Sequence, residues 1–307
     1  MTVSSTARTR AIALSKVCIN VAGITCLIET SNKTFADLLR RKYSRFLLAE
    51  DSELSLRVEI DQRKSSRFYR SRFKTAAFGN IIVSTGNIEA DVNLVEGRGE
   101  VSMASLIEDK TTFNLFGVFL ASLYAIILLE NKGILLHSSG VVKDGVGYVF
   151  YGSSGTGKTT IAGLSSPYCV LNDDRIAVRT ENGTTLMFDT PFWDGGQGQG
   201  DAIGFPVKGI FIPRKDGSSC YLKKLNPQTA VSNLMAMQYG DLFSQCLYGS
   251  VQPRDSFRIE SNIVPRNNKL CGAIFDICCE LAQKVPAFYL YFTKDGTKMW
   301  RCIDALG

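Results

Sequence analysis

The chain has 307 residues, of which 45% are hydrophobic and 21% are charged, and its formal net charge is +6. This length allows one large or two modest domains with a buried core, and the composition excludes an intrinsically disordered protein. The positive excess is local, because removing the six basic residues between Arg63 and Lys74 would bring the formal balance to zero.

The first hundred residues predict mainly short strands. Residues 1–12 are polar and basic, and we expect them to fray. A hairpin is predicted around Gly23 and a helix over 34–48, because apolar residues recur there at helical spacing. Gly86-Asn87 is a turn candidate. Strands are predicted at 17–21, 24–28, 54–60, 81–83 and 88–92. This half is therefore predicted to be a small mixed domain rich in strands.

A basic and aromatic stretch lies within this half. Its members are Arg63, Lys64, Arg67, Phe68, Tyr69, Arg70, Arg72, Phe73 and Lys74. Such a stretch could bind an acidic peptide or nucleic acid. The alternative, which we favour, is a solvated loop or an exposed strand face. A nucleic-acid partner is not predicted.

The segment from Thr111 to Leu129 contains nineteen residues without a charge. That length could span a bilayer. Polar residues such as Asn114 and Ser122, and the position directly before the strands that follow, favour a buried helix instead. We therefore predict no membrane partner and an α/β protein of three parts: a β-rich mixed domain over 1–110, a buried linking helix over 111–130 and a core with a mixed sheet over 131–307.

The core opens with two strands, at 134–142 and 147–151, joined by the hairpin signal Lys143-Asp144-Gly145. The second strand leads into Gly-Ser-Ser-Gly-Thr-Gly-Lys-Thr at 152–159, which matches G-x-x-x-x-G-K-[ST], the phosphate-loop pattern. Its glycines let backbone N–H groups face an anion, and its lysine and last threonine suit phosphate and Mg²⁺. The expected nucleotide contacts are Gly152, Ser153, Ser154, Gly155, Thr156, Gly157, Lys158, Thr159 and Thr160.

After a short helix that ends by Pro167, a strand at 168–171 delivers Asn172-Asp173-Asp174. Paired carboxylates beyond a phosphate loop suit phosphoryl transfer, because one can enter the magnesium shell while the other takes a proton from an attacking hydroxyl. The alternative is an Asx-turn or an ion pair with Arg175. His137, the single histidine, also ends a strand, and its spacing is equally compatible with a structural and a chemical role.

The segments His137–Gly140, Gly152–Thr159 and Asn172–Arg175 resemble, in order and interval, the HPr kinase/phosphorylase family, which shares the nucleotide fold of phosphoenolpyruvate carboxykinase. The resemblance covers about residues 130–180, with a slightly shorter helix before the acidic pair. The whole chain is more loosely similar to small kinases with a β-rich N-terminal domain. Some of these act in lasso peptide systems, where they phosphorylate a serine of the precursor peptide.

The resemblance implies a role for each matching residue. Lys158 would bind the transferring phosphate, and Thr159 would ligate Mg²⁺ with Asp173 nearby. Asp174 would be the general base toward a substrate hydroxyl, and His137 would be the active-site histidine. The implied cofactors are ATP and Mg²⁺, and the implied partner is a peptide or small protein.

The chain also departs from the family. Its metal-binding glutamate has no clear counterpart, and Asp189 and Asp194 are both candidates to replace it. The family has a basic segment that is tied to the reverse phosphorylase reaction, and this chain shows only a weak similarity to it at 264–267. The sequence therefore favours a kinase over a phosphorylase.

The remaining chain adds structural elements around the core. A glycine-rich window at 195–204 predicts a lid or, alternatively, a surface excursion. The strand at 207–214 ends in Arg214, which could neutralise transferring charge, although an exposed turn arginine is favoured. Helices are predicted at 225–237, with Asn226 as cap, and at 273–284, and a strand at 285–292.

These patterns predict an α/β kinase that uses Mg-ATP to phosphorylate a hydroxyl, with a small-molecule kinase and a non-catalytic nucleotide sensor as alternatives. A third alternative, a carboxykinase, would need further metal ligands and a carboxylate-binding arginine set that the sequence does not offer. Nine cysteines without a C-x-x-C pair, and no secretory leader pattern, predict reduced thiols in a cytoplasmic protein. The oligomeric state stays open, with a homo-oligomer as one option.

Overall fold

The computed structural model describes residues 13–49, 52, 54–61, 72–76, 79–84, 88–104, 110–192, 203–216, 218–236 and 268–306. Within these ranges the fold is mixed α/β, with two mixed sheets and more strand than helix. This confirms the predicted fold class at the level of an α/β protein whose first half is rich in strands and whose second half contains a mixed sheet.

The first sheet precedes the long apolar helix in the chain. Its strands are β1 (Ser15–Val21), β2 (Ile24–Thr30), β3 (Leu47–Leu48), β4 (Leu54–Asp61), β5 (Arg72–Ala76), β6 (Asn80–Ser84), β7 (Ile88–Asn93) and β8 (Arg98–Ala104). Their spatial order is β3-β1-β2-β4-β8-β7-β6-β5. The β2–β4 and β4–β8 pairs are parallel and the remaining pairs are antiparallel.

The second sheet follows that helix. Its strands are β9 (Gly133–Lys143), β10 (Val146–Tyr151), β11 (Cys169–Asn172), β12 (Arg175–Glu181), β13 (Thr184–Phe188), β14 (Phe205–Lys215), β15 (Tyr221–Lys224) and β16 (Ala287–Phe292). The order is β10-β9-β12-β13-β14-β16-β15, with β11 also paired to β9. Because β10 pairs with β14 as well, the pairings among β9, β12, β13, β14 and β10 close a circuit.

Helices cover these sheets. The described ones are α1 (Lys33–Lys42), α2 (Lys110–Glu130), α3 (Lys158–Leu164), α4 (residues 227–236), α5 (Asn268–Lys284) and α6 (Gly296–Asp304). The predicted helices at 225–237 and 273–284 correspond to α4 and α5. Asn226 caps α4 as predicted, since its Oδ1 accepts a hydrogen bond from the N–H of Thr229 at 2.8 Å.

Two predicted hairpins are confirmed, and their turns explain why these sequences form them. Ala22 and Gly23 join β1 to β2 with φ of 53° and 79°, and Asp144 and Gly145 join β9 to β10 with φ of 52° and 75°. Two consecutive left-handed residues form the turn whose twist matches antiparallel strands. The strand that enters the phosphate loop therefore runs antiparallel to its predecessor, as predicted.

Helix α1 is shorter than the predicted 34–48. It ends at Lys42, and a 3-10 turn over Ser44–Phe46 follows. The chain turns because Tyr43 and Phe46 are buried and because Leu47–Leu48 pairs with β1. Tertiary pairing therefore overrides the local helical pattern.

Helix α2 is buried on all sides over its second half. Every residue from 119 to 129 is buried, and the helix packs against β9, β7 and α5. The segment Phe113–Glu130 is long and apolar enough to cross a membrane, but 67% of that window is buried inside the protein. Such burial is expected of the core helix of a soluble protein. One hydrophobic cluster extends from the first sheet through α2 to the second sheet.

The second sheet is buried on both faces, and the alternation along β10 shows it. Val149 and Tyr151 belong to the cluster shared with α2, whereas Tyr148 and Phe150 belong to a second cluster with α3 and α6. Trp300 of α6 lies at the centre of this second cluster, with its ring centroid 5.1 Å from that of Tyr148. These two layers enclose β10, the strand that leads into the phosphate loop.

Some elements were not predicted from the sequence. These are β3, β8, β12, β13, β15 and α6. The strands are short or carry many polar residues, so their apolar pattern is weak. Helix α6 did carry a signal: Asp295 caps it, and Met299, Trp300 and Ile303 are buried at helical spacing.

Several predictions fall on residues outside the described ranges. They are the frayed residues 1–12, the turn at Gly86-Asn87, most of the basic stretch at 63–74, the glycine-rich window at 195–202, Asp194, and the segment 264–267. Residues 72–74 of the basic stretch form the first part of β5.

The eight cysteines within the described ranges form no disulfide, and three of them are buried. Burial raises the pKa of the Cys278 thiol to about 12. This keeps the thiol protonated and unreactive at neutral pH.

Tyr124 of α2 provides a test of how the first hairpin is fastened to the core. Its buried hydroxyl donates to the backbone carbonyl of Ile19 at 2.9 Å and lies 3.3 Å from that of Ile24. Tyr124→Phe removes the donor and leaves buried carbonyls short of a partner, so we expect a loss of about 1–3 kcal/mol in the free energy of unfolding, measured by urea denaturation.

The matched control is Tyr221→Phe. Tyr221 is 43% exposed and stacks on Tyr291, so its hydroxyl contributes little and we expect a change within about 0.5 kcal/mol. Equal effects of the two substitutions would contradict the assigned role of the Tyr124 hydroxyl.

Candidate functional site

The candidate site is organised around Ser138, near the middle of β9. On one edge of β9, Ser138 pairs with Tyr151, the last residue before the phosphate loop. On the other edge, its N–H donates to the backbone carbonyl of Asp174 at 2.9 Å. Ser138 and Ser139 are fully buried. One strand therefore places the phosphate loop and the acidic pair side by side.

The phosphate loop is a tight bend that depends on its glycines. Gly155 and Gly157 have φ of 81° and 109°, in the left-handed region that favours glycine. A Cβ on Gly157 would also lie 2.7 Å from a ring carbon of Phe292. The N–H of Thr156 bonds to the carbonyl of Ser153 at 3.3 Å, and its hydroxyl bonds to the same oxygen at 2.8 Å. Helix α3 then begins at Lys158.

The side chain of Lys158 lies beneath this bend. Its Nζ donates to the carbonyl oxygens of Gly152 at 2.6 Å and Ser153 at 3.1 Å, and the residue is only 5% exposed. These bonds compensate the burial of the ammonium and hold its charge under the loop. Gly152, Ser153 and Thr156 thus support the loop from behind, whereas Lys158 also lines the cleft in front of it.

The acidic pair occupies a break between β11 and β12. Both strands pair with the same edge of β9, Asn172 opposite Gly140 and Arg175 opposite His137. Asp173 and Asp174 lie between them without strand pairing of their own. The Ser139 hydroxyl lies 3.3 Å from the Asp173 carbonyl oxygen, within hydrogen-bond distance. The backbone is held by β9, and both aspartates line the cleft.

His137 lies beside Asp174. Its Nδ1 is 3.4 Å from Asp174 Oδ1, and the two side chains are about equally accessible, at 24% and 25%. The other carboxylate oxygen of Asp174 is 4.0 Å from Nε of Arg175. Two cationic or proton-carrying neighbours therefore flank this carboxylate, while the Asp174 side chain keeps contact with solvent.

All the elements predicted for the reaction meet in one cleft of ≈ 560 Å³. It is lined by His137, Ser154, Gly155, Gly157, Lys158, Thr159, Thr160, Asp173, Asp174 and Lys215. The structure therefore brings together the predicted histidine, the acidic pair and the mouth of the phosphate loop. Gly152, Ser153 and Thr156 do not line this cleft, and their contribution is to the shape of the loop.

The predicted magnesium ligands are compatible with this arrangement. Thr159 and Asp173 both line the cleft. Mg²⁺ held with substrate phosphates usually takes one or two protein ligands and completes its shell with water and phosphate oxygens. Among the residues that the structure describes, no group of three or more His, Cys, Asp or Glu side chains could hold a metal by itself. The donor set fits a phosphate-bound magnesium rather than an all-protein metal centre.

Asn172 fixes the turn that presents the acidic pair. This residue is 1% exposed, and its Oδ1 accepts from the N–H of Asp174 at 2.9 Å and of Arg175 at 3.1 Å. The alternative for the acidic pair was an Asx-turn made by the aspartates themselves or an ion pair with Arg175. The structure shows an Asx-turn made by Asn172 instead, and it shows the ion pair between Asp174 and Arg175 at 4.0 Å. Its Nδ2 donates in the opposite direction, to Asp189 Oδ1 and to the Thr190 carbonyl, each at 2.9 Å. Both ends of the amide are used.

Asp189, a candidate to replace the family's metal-binding glutamate, has a different environment. It is fully buried, and it is not among the residues that line the cleft. Its Oδ2 is 3.0 Å from Nη2 of Arg45, and its Oδ1 accepts from Asn172 and, at 2.7 Å, from the N–H of Thr190. The structure therefore places Asp189 in an internal ion pair.

Lys215 was missed by sequence analysis. It ends β14, lines the cleft and passes close to Gly157, whose added Cβ would lie 3.5 Å from Lys215 Cε. Arg214, the residue considered instead, has its guanidinium carbon 4.7 Å from the ring centroid of Tyr289. Consecutive strand residues point to opposite faces. The alternation along β14 predicts that Arg214 and Lys215 point to opposite faces of the sheet. Only the fold shows which of these faces carries the phosphate loop.

No protein-family model matches the chain, and no curated protein sequence matches it either. The resemblance to HPr kinases therefore stays a prediction, and a function for this chain has to be inferred from the geometry of the cleft.

Asn172 allows a test of the turn by a nearly isosteric change. Asn172→Asp keeps the acceptor for Asp174 and Arg175 but replaces the donor with a carboxylate facing the buried Asp189. We expect a loss of about 3–5 kcal/mol at neutral pH, measured by urea denaturation. Because the neighbouring charge raises the folded-state pKa of this new carboxyl pair, the loss should shrink as the pH falls.

Asn226→Asp is the control, because Asn226 acts at its helix cap as an acceptor from Thr229. Aspartate caps a helix as well as asparagine does, so we expect a change within about 0.5 kcal/mol. A stable Asn172→Asp protein at neutral pH would contradict the assigned orientation of the Asn172 amide.

Proposed function

We propose that the protein is an ATP-dependent phosphotransferase that uses Mg-ATP to phosphorylate a hydroxyl group, and that the acceptor is a serine of a peptide or small protein. One observation carries the proposal: a single cleft is lined by the mouth of a phosphate loop, by an acidic pair and by a histidine. A nucleotide-binding loop alone would support a sensor, whereas adjacent carboxylates supply the groups that transfer requires.

The phosphate-binding part of the cleft consists of the phosphate loop and two lysines. The left-handed glycines shape a bend whose backbone N–H groups can face an anion. Lys158 and Lys215 add two positive charges to the cleft lining. Thr159 and Asp173 would hold Mg²⁺, which when bound neutralises the charge that develops on the phosphate oxygens.

The acceptor side consists of Asp174 and His137. Asp174 would accept the proton of the attacking hydroxyl as that oxygen forms its bond to the γ-phosphorus of ATP, while the bond from this phosphorus to the β–γ bridging oxygen breaks and ADP leaves. His137 Nδ1 lies 3.4 Å from Asp174 Oδ1, close enough that a protonated imidazole would stabilise the ionised carboxylate by its charge. Partial exposure of both groups gives an incoming side chain access to them.

The chemical class of the acceptor is inferred from the open mouth of the cleft and from the resemblance to HPr kinases. Ser154, Gly155 and Thr159 are exposed, so the cleft opens to solvent at the loop. A serine side chain on a flexible peptide can enter such an opening. The resemblance to HPr kinases and to the serine kinases of lasso peptide systems points to the same class.

Nucleotide binding is tested first, by comparing a glycine substitution inside the phosphate loop with one in helix α3. Gly157→Ala places a methyl group against Phe292 and strains a backbone with φ of 109°, so we expect the affinity for Mg-ADP, measured by calorimetry, to fall at least about tenfold. Gly163→Ala in α3 is the control, because its added Cβ meets no atom within 4 Å. It should bind Mg-ADP like the wild type.

Catalysis is tested at Asp174. Asp174→Asn removes the base but keeps the shape of the side chain, so we expect kcat to fall by about 10²–10⁴-fold while Mg-ADP affinity stays within about threefold. Phosphate transfer from Mg-ATP to candidate peptides is followed by mass spectrometry, with Gly163→Ala as the active control. Full turnover by Asp174→Asn would remove this residue as the base.

The same measurement separates the alternatives. Phosphorylation of a peptide supports the proposal, and phosphorylation of a small hydroxyl compound alone would indicate a small-molecule kinase. Nucleotide binding without transfer to any acceptor would indicate a sensor.

A further inference from the structure

A chain of polar contacts, buried at Asp189 and Asn172, connects the first half of the protein to the acidic pair. It begins at Arg45, in the 3-10 turn after α1, whose Nη2 is 3.0 Å from Asp189 Oδ2. It continues from Asp189 Oδ1 to Asn172 Nδ2 at 2.9 Å, and from Asn172 Oδ1 to the N–H of Asp174 at 2.9 Å. We call these four residues the Arg45–Asp174 relay.

We infer that Arg45 is a positioning residue for the carboxylate of Asp174, and that it acts through Asp189 and Asn172. This inference rests on the proposed function, because it assigns a purpose to the position of the proposed base. Arg45 belongs to neither the phosphate loop nor the lining of the cleft, and its role was not suggested by any motif.

The first step is the charge of Asp189. This side chain is fully buried, and a buried carboxylate needs a nearby cation to stay ionised. Arg45 supplies that cation from an element that precedes it by 144 residues. The arginine is itself about one-third exposed, so the pair lies at the boundary between the first half and the core.

The second step is the orientation of Asn172. An ionised carboxylate only accepts hydrogen bonds, so it selects the NH₂ end of the amide. The Asn172 oxygen must then face the opposite way, toward the N–H groups of Asp174 and Arg175. The Thr190 carbonyl, which accepts from the same Nδ2 at 2.9 Å, favours this orientation too. Loss of charge at Asp189 therefore weakens the selection, and the turn that carries the proposed base loses part of its anchor.

The third step is the requirement of the reaction. A proton acceptor works only within hydrogen-bond reach of the hydroxyl, and a displacement of about 1 Å can lower the rate by about 100-fold. The second backbone anchor of Asp174 is the bond from the Ser138 N–H to its carbonyl. The relay and β9 together hold the backbone of this residue from both sides.

The experiment compares two arginines that both bridge the halves of the protein. Arg45→Ala breaks the relay. Arg179→Ala breaks an unrelated bridge at the far end of β12, where Nη1 of Arg179 donates to the Ala22 carbonyl at 2.7 Å and Nε donates to the Asn131 carbonyl at 3.1 Å. Both substitutions should lower the unfolding midpoint, so stability alone does not distinguish them.

Two readouts distinguish them. Hydrogen exchange reports on the N–H groups of Asp174 and Arg175, and we expect at least about tenfold faster exchange there in Arg45→Ala but not in Arg179→Ala. In the transfer assay, Arg45→Ala should lower kcat by about 10–100-fold with unchanged affinity for Mg-ADP. Arg45→Lys, which keeps the charge, should restore part of the exchange protection and part of kcat.

If Arg45→Ala does not fold, Arg45→Gln, which keeps a donor without the charge, replaces it.

The outcomes are separable from those of the proposed function. Wild-type exchange at Asp174 and Arg175 in the Arg45 variants, or an equal change in Arg179→Ala, would overturn the relay. A wild-type protein that binds Mg-ADP but transfers phosphate to no acceptor would overturn the proposed function. The exchange comparison would still decide whether Arg45 holds the turn.

Discussion

The site depends on strand β9, because both of its edges are used at the same point. Tyr151 pairs with Ser138 on one edge, and the backbone of Asp174 is bonded to Ser138 on the other. A β-ladder fixes neighbouring strands about 4.8 Å apart. The distance between the phosphate loop and the acidic pair is thus set by backbone hydrogen bonds in a sheet that is buried on both faces, which is a more rigid arrangement than two facing loops.

The acidic pair is held by buried amide chemistry as well as by backbone pairing. Asn172 faces Asp174 with its oxygen and Asp189 with its nitrogen. Each end is satisfied only in this orientation, so a single side chain defines the direction of the turn. The same residue carries the connection to Arg45. Substrate-facing and internal carboxylates are thereby separated: Asp173 and Asp174 line the cleft, and Asp189 belongs to the interior.

Local patterns predicted much of this arrangement. The glycine and lysine spacing identified the phosphate loop, Asp144-Gly145 identified the hairpin that leads to it, and the end of β11 located the acidic pair. The apolar run before His137 predicts that this residue ends a strand, whereas it lies inside β9. Local patterns could not predict contacts between residues that are distant in sequence. Nothing around Arg45 or Asp189 indicates that they meet, and the alternation of Arg214 and Lys215 shows its meaning only once the face carrying Gly157 is known. Helix α1 ends early for the same reason, since its end is decided by pairing with β1.

Helix α2 has a consequence for how the chain is made. Its residues 119–129 are buried between the first sheet and β9, yet β9 leaves the ribosome only after the helix does. Until then a strongly apolar helix lacks β9, and it lacks α5 for longer still. Nascent chains with such exposed apolar surfaces aggregate readily. The core that the two halves share around α2 can therefore be completed only after both β9 and α5 have been synthesised.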